Sequence, residues 1–326
     1  FTEGILPVDV ALLQVSPPDQ HGYVSLGVSV DYGKAAAKNA KTLIVQVNNR
    51  MPRTLGDSFL HVSEIDYFVE IPAEIIELKP PVISKVEEAI GERCASLIED
   101  GSTLQLGIGA LPDAVLKFMK HKRDLGIHSE MFSDGVVELI EAGVVTNRKK
   151  TLHPGKAVVT FLMGTRKLYD FVDNNPMVYM ATVDYVNNPY VIAQNYKMVS
   201  INSCVQVDFA GQVASESIGP KQISGVGGQV DFVRGTNLCK DGKAIIAMQS
   251  TTGNGKLSKI VPILDSGAAV TTSRNDVRYV VTEYGIADMK GKTLKERAKS
   301  LIAIAHPNFR PQLIEEWEKR FRANFS

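Results

Sequence analysis

This 326-residue sequence predicts an α/β fold: two open, mostly parallel sheets flanked by helices. Three observations carry that expectation. Short continuous apolar runs, as at residues 8–15 and 43–47, have the length and Val/Leu/Ile content of parallel strands buried on both faces. Helical stretches and further short strands alternate through the second half. An apolar run at residues 103–106 ends in the turn Gly107-Ile108-Gly109 and leads into an amphipathic stretch, the strand–turn–helix join of α/β proteins.

Taken in order, residues 8–15 read as a strand closed by the turn Ser16-Pro17-Pro18-Asp19. A helix follows around residues 32–40, a strand at 43–47, a loop over 54–61 and a strand at 67–70. Leu78-Lys79-Pro80-Pro81 interrupts every regular pattern, so a domain boundary is placed there, dividing residues 1–80 from 81–326. Beyond it, helices are expected at 85–99, 113–120, 135–142, 167–174, 294–304 and 311–321. Strands are expected at 104–106, 157–162, 198–202, 245–248, 259–264, 270–272 and 279–282. Residues 213–232 break the rhythm with alternating residues and several glycines, and predict antiparallel strands around a second loop.

Composition excludes several functions. Thirty-six basic residues balance 36 acidic ones, so no global field draws nucleic acid or an acidic membrane. No apolar run approaches a membrane span. Three cysteines without C-x-x-C spacing and scattered histidines, His21 and His61 among them, point to neither disulfides nor a metal site. The expectation is a soluble cytoplasmic protein. The sequence begins at Phe1 and runs almost at once into a strand, so the natural protein is expected to start upstream, leaving the first domain incomplete.

Two features offer chemistry. The turn Gly107-Ile108-Gly109-Ala110-Leu111 lacks the third glycine of a dinucleotide fingerprint and the Gly-Lys-Ser/Thr of a P-loop. At the start of a helix, its N–H groups still favour an anion. Glu130, about twenty residues on, is a lone carboxylate of a kind that most often caps a helix or meets solvent. Brought beside the loop, it has the makings of a nucleophile. Glu216, between small residues, competes equally on spacing. His128 lies two residues before Glu130, but a carboxylate nucleophile needs no base. Ser224-Gly225-Val226-Gly227-Gly228 permits close backbone approach to a ligand or forms a hairpin.

Four segments in this order resemble the acetyl-CoA hydrolase/transferase family of class I CoA-transferases: Gln105–Ala110, Ile127–Met131, Ser224–Phe232 and Val281–Ala287. His306-Pro307-Asn308-Phe309-Arg310 fits the same family, and the likeness extends over essentially the whole chain. It implies two CoA-transferase-like domains, with the second carrying the nucleophile Glu130 and Glu216 reduced to a supporting role. It implies that Gly107, Ile108, Gly109, Ala110 and Leu111 line the coenzyme A site, with the N–H near Ile108 as oxyanion donor. By the same resemblance, Gly227 and Gly228 lie near the thioester, Lys256 contacts coenzyme A, and Asn187 stands beside the reacting carbonyl. The acyl pocket is expected to include residues 16–21 and 54–61.

The activity implied is ping-pong exchange of CoA between a short-chain acyl-CoA, 4-hydroxybutyryl-CoA or butyryl-CoA, and acetate, as in fermentation. Coenzyme A is then a substrate, with no tightly bound cofactor and no metal, and the partners are acyl-CoA and short-chain carboxylic acids. A homo-oligomer is expected from the resemblance. An acetyl-CoA hydrolase using the same glutamate remains open, as does a non-catalytic acyl-CoA-binding fragment. A sugar-phosphate isomerase of similar architecture rests on fold analogy alone.

Overall fold

The computed structural model describes residues 1–252 and 255–325. The strands β1 (Val8–Val15), β3 (Ala40–Val47) and β5 (Tyr67–Glu70) form a wholly parallel sheet in the order β1-β3-β5. Helix α1 (Gly33–Asn39) precedes β3, and β2 (Tyr23–Ser25) pairs antiparallel with β4 (Phe59–His61). Residues 59–61 are thus a strand inside the stretch expected to be a loop. Their pairing partner is 36 residues away, beyond the reach of local pattern.

Residues 71–84 run without regular structure to α2 (Lys85–Ser96). Along this stretch Leu78 donates its N–H to the Gly164 carbonyl at 2.9 Å, and Tyr169 donates its hydroxyl to the Ile76 carbonyl. The Ser84–Glu87 capping box then starts α2, each side chain satisfying a backbone N–H at the other position.

The larger sheet has eight strands. Its strands are β6 (Thr103–Leu106), β7 (Gly126–Phe132), β8 (Ala157–Leu162), β9 (Val178–Met180), β10 (Met198–Asn202), β15 (Lys243–Ala247), β17 (Tyr279–Thr282) and β18 (Gly285–Asp288). Their order is β18-β17-β15-β10-β6-β7-β8-β9, parallel except for the β17–β18 hairpin. From β6 the chain steps outward through α3 (Ala110–Lys117), α4 (Asp134–Glu141) and α5 (Arg166–Val172) to β9. It then returns to β10, on the other side of β6. That reversal of direction opens a crevice at the carboxyl ends of the central strands, where α/β sheets bind ligands.

Residues of α2, α3, α4 and α5 share one core with the central strands. A second cluster joins Val158 and Met198 to α6 (Val183–Val186), α7 (Pro189–Ala193) and α8 (Gln229–Leu238). A third lies under α9 (Leu294–Ala303) and α10 (Arg310–Phe321), with Trp317 at its centre. Small sheets fill the interval between β10 and α9: β12 (Val213–Ala214), β11 (Gln206–Asp208) and β16 (Ile260–Val261) form one, β13 (Ser217–Ile218) and β14 (Lys221–Gln222) another.

Several expectations are corrected. Residues 126–132 are a strand where none was expected. Residues 229–232 begin helix α8 rather than continuing antiparallel strands, because Phe232, Val233 and Thr236 are buried at helical spacing. The strand expected at 259–264 shrinks to Ile260–Val261. At 270–272 there is only an isolated bridge between Thr272 and Val213. Both of the last two segments border the small sheets, where partners are two or three residues long and a ladder cannot extend.

Candidate active site

Glu130 lies near the carboxyl end of β7. Successive strand side chains alternate between faces, so His128 and Glu130 point toward α6 and α8. The other six residues of the strand are buried, the polar His128 and Ser129 among them, leaving Glu130 as its half-buried position. The Asn187 side-chain amide donates to Glu130 Oε2 at 3.1 Å, and the Gly228 backbone N–H lies close enough to the same carboxylate to favour its ionised form. Asn187 caps the C-terminus of α6, and Gly228 is the N-cap of α8. The two donors therefore arrive from helices that follow Glu130 in sequence by 57 and 98 residues.

The two glycines are there for different reasons. A Cβ on Gly228 would overlap Glu130 Oε2 and stand 2.6 Å from Asn187 Nδ2, so only glycine lets the helix N-terminus approach the acid. Gly227 has open space around it, but its φ of +61° lies in the left-handed region. That turn leads into the N-terminus of α8 beside the carboxylate, where the helix dipole favours negative charge.

A cleft of about 680 Å³ opens in front of Glu130, with Asn187 and Gly227 in its wall. Its far side comes from the first unit of the chain. Val30 and Asp31 donate their N–H groups to the Thr160 carbonyl and hydroxyl of β8, while the Asp31 carbonyl accepts from Val183 N. Asp31 itself adopts φ +39°, a left-handed conformation uncommon for a side-chain-bearing residue, and with Tyr32 it lines the cleft. Asp184 and Asp231 complete an acidic wall. Burial pushes the Glu130 pKa above the ordinary carboxylate value, and the nearby charges of Asp31 and Asp231 push it further. The Asn187 amide and Gly228 N–H oppose that rise. Asp31 and Asp231 are raised as well, each chiefly by burial.

The structure thus brings Glu130, Asn187, Gly227 and Gly228 together. The glycine turn lies on the adjoining strand end. The β6–β7 ladder records pairing only through Leu104–Ile127; beyond it the Ser129 hydroxyl bridges both the N–H and carbonyl of Leu106, at 3.3 and 3.1 Å. Gly107 follows directly, and Gly109, at φ +111°, is the N-cap from which Ala110 and Leu111 enter α3. Ile108 and Gly109 face a second cleft of about 670 Å³, walled also by Leu78, Pro80 and Met163. No residue lines both clefts among those described. Lys256 is exposed on the turn after β15 and lines neither.

Glu216 is buried near β13, and its backbone carbonyl accepts from Ile223 N; the residue does not line the Glu130 cleft. Neither do residues 16–21 or 54–61. Sequence reasoning missed Asp31, Tyr32 and Asp184, which carry no motif. Asp231 was within reach, since it sits in the quoted glycine-rich segment at the first turn of α8. Among the described residues, no cluster of three or more His, Cys, Asp or Glu side chains is arranged to hold a metal ion, and no helix is long and apolar enough to cross a membrane.

Residues 1–80 match the model of the acetyl-CoA hydrolase/transferase N-terminal domain, and residues 164–317 that of the C-terminal domain. With parallel sheets of this order and a glutamate at their carboxyl edge, the chain belongs to the acetyl-CoA hydrolase/transferase family. It is 70% identical over 321 residues to the 4-hydroxybutyrate coenzyme A transferase of Clostridium kluyveri, covering 98% of this chain and 75% of that relative. It is 51% identical to a succinyl-CoA:cyclohexane-1-carboxylate CoA transferase of Geobacter metallireducens, over 95% of this chain and 71% of the relative. The crystal structure of 4-hydroxybutyrate CoA-transferase from Porphyromonas gingivalis superposes with a TM-score of 0.89 at 49% identity, covering 98% of this chain and 77% of that one.

Proposed function

We propose that this protein is a CoA-transferase that moves CoA between a short-chain acyl-CoA, 4-hydroxybutyryl-CoA or butyryl-CoA, and acetate, with Glu130 as covalent carrier. The observation that carries the reading is a half-buried carboxylate at the edge of a cleft, with an amide and a helix-terminal N–H converging on it. The 70% identity to a relative named for 4-hydroxybutyrate supports the substrate class.

One Glu130 oxygen attacks the thioester carbonyl, forming an acyl-glutamyl anhydride and expelling CoA thiolate. The thiolate attacks the glutamyl carbonyl; the anhydride C–O bond breaks, releasing the first carboxylate and leaving a glutamyl-CoA thioester. The incoming acid then attacks that thioester, forming a second anhydride and freeing thiolate, which takes the new acyl group and restores Glu130. Each step passes through a tetrahedral oxyanion, and one preorganised donor contributes roughly 2.7–4 kcal/mol to such an intermediate. Gly228 N–H and the Asn187 amide already meet the Glu130 carboxylate, and the N–H near Ile108 is assigned the same duty from the adjoining strand end.

A carboxylate is a weak nucleophile. Burial raises the basicity of Glu130, and contacts to the remote coenzyme press the thioester against it. Lys256 is assigned to those contacts. Water must stay out while anhydride and thiolate coexist. Activity assays of Glu130→Gln test the reading: exchange should vanish, and retained exchange refutes it. Omitting the acceptor acid should nearly stop CoA release; brisk release identifies a hydrolase instead.

A further inference from the structure

We propose that His128 is a positioning residue for this reaction: its Nε2–H, donated to the Val186 carbonyl, and its ring, packed on Phe232, hold Asn187 and Gly228 at the Glu130 carboxylate. The inference rests on reading Glu130 as the nucleophile and adds a residue that touches neither substrate nor reacting atoms.

The geometry forms a closed circuit. His128 and Glu130 stand two residues apart on the same face of β7. His128 Nε2 lies 2.8 Å from the carbonyl oxygen of Val186, the last residue of α6, and the next residue is Asn187. Asn187 returns to Glu130 Oε2 at 3.1 Å. On the other side, the His128 ring centroid is 6.2 Å from that of Phe232. Phe232 closes the first turn of α8 by donating its N–H to the Gly228 carbonyl at 3.0 Å. One side chain therefore touches both short elements that carry the two donors.

The imidazole is wholly buried, and burying a polar ring costs free energy unless its hydrogen bonds are made. Nε2 is partnered, whereas Nδ1 has no partner. An apolar side chain would fill the space without that cost but would leave the Val186 carbonyl without its donor and free the end of α6. The carbonyl can only accept, so Nε2 carries the proton. Burial, helped by the charges of Lys150 and His153 and opposed by the hydrogen bond to Val186, pushes the His128 pKa down to about 3, so the ring stays neutral and the bond persists through the working range.

The test compares His128→Phe, which keeps a ring against Phe232 but lacks the donor, with His128→Gln, which keeps an N–H, and with Asn187→Ala. The readouts are kcat, the KM for acyl-CoA, and the acid limb of the kcat–pH profile, which reports Glu130 among Asp31, Asp184 and Asp231. A misplacement near 1 Å costs about 10²-fold, so His128→Phe should lower kcat by about 10- to 100-fold with little change in KM. Its acid limb should move upward, as in Asn187→Ala, because the amide that holds the Glu130 pKa down is displaced. Adding His128→Phe to Asn187→Ala should cost little more, and His128→Gln should recover most of the rate. Full multiplication of the two losses, or a reduced rate with an unmoved acid limb, overturns the proposal. So does a folded His128→Gln no better than Asn187→Ala, which decides the matter should the Phe variant not fold. If the unmodified enzyme formed no covalent adduct at Glu130, the reading of the nucleophile would fail instead, and the two failures are distinct.

Discussion

Asn187 and Glu130 are joined by a 3.1 Å hydrogen bond from the side-chain amide to Oε2, across 57 residues of chain. The bond ties the end of α6 to the end of β7 and stabilises the ionised carboxylate. With Glu130 as the proposed nucleophile, Asn187→Ala should weaken its anion and leave its developing oxyanions one donor short. Loss of such a donor costs about 10²–10³ in kcat, to be measured in steady-state exchange, with folding unchanged by circular dichroism.

The same environment sets a pH dependence. In the proposed mechanism Glu130 must be ionised to attack, and burial with the charges of Asp31 and Asp231 raises its pKa above the usual 4.5. As pH falls through that raised value the carboxylate takes up a proton and the rate drops. The acid limb of the kcat–pH profile should lie above that of an ordinary glutamate. Asp31→Asn removes one of the raising charges and should move the limb downward.

Gly227 and Gly228 should respond differently to alanine. Gly228→Ala drives a methyl group into Glu130 Oε2 and Asn187 Nδ2, so kcat should collapse. Gly227→Ala meets no atom within 4 Å and suffers only its left-handed φ. It should lose roughly 1–2 kcal/mol of stability, read by denaturant titration, with a smaller effect on rate.

Lys150 gives a prediction for stability. Its Nζ is buried and donates to the carbonyls of Ile127 and Lys156 at 2.7 and 2.8 Å, and burial lowers its pKa to about 7. In the unfolded chain the amine stays protonated to about pH 10.4. Between those values the unfolded state binds the extra proton, so stability rises with pH from about 7 to 10. Relative to Lys150→Met, the melting temperature of the unmodified protein should climb across that window; parallel curves would contradict the assignment.

Much of the fold was legible because β1, β3 and β8 carry short Val/Leu/Ile/Ala-rich runs and because turns flank them, although β1 leaves Val10 and Leu12 exposed where burial on both faces was expected. Strand β7 was hidden because Gly126, His128, Ser129 and Glu130 do not read as a buried strand. Each of these polar groups is accommodated by a partner far away: Val186 for His128, Leu106 for Ser129, Asn187 for Glu130. The catalytic candidate was found through motif likeness, not through strand pattern. Asp31 escaped both, since its place opposite Glu130 depends on hydrogen bonds to Thr160 and Val183 that no local spacing encodes. The loop Gly107–Gly109 was legible as a helix-initiating turn, but the cleft it faces depends on the segment around residues 78–81 laid across it.

The most direct measurement is peptide mapping after the enzyme is incubated with acyl-CoA alone and quenched with borohydride, which reduces a glutamyl thioester to the alcohol. Modification of the tryptic peptide 124–148 at Glu130 is the predicted result. An unmodified peptide 124–148 under these conditions, or a reduced residue at Glu216 instead, would contradict the account.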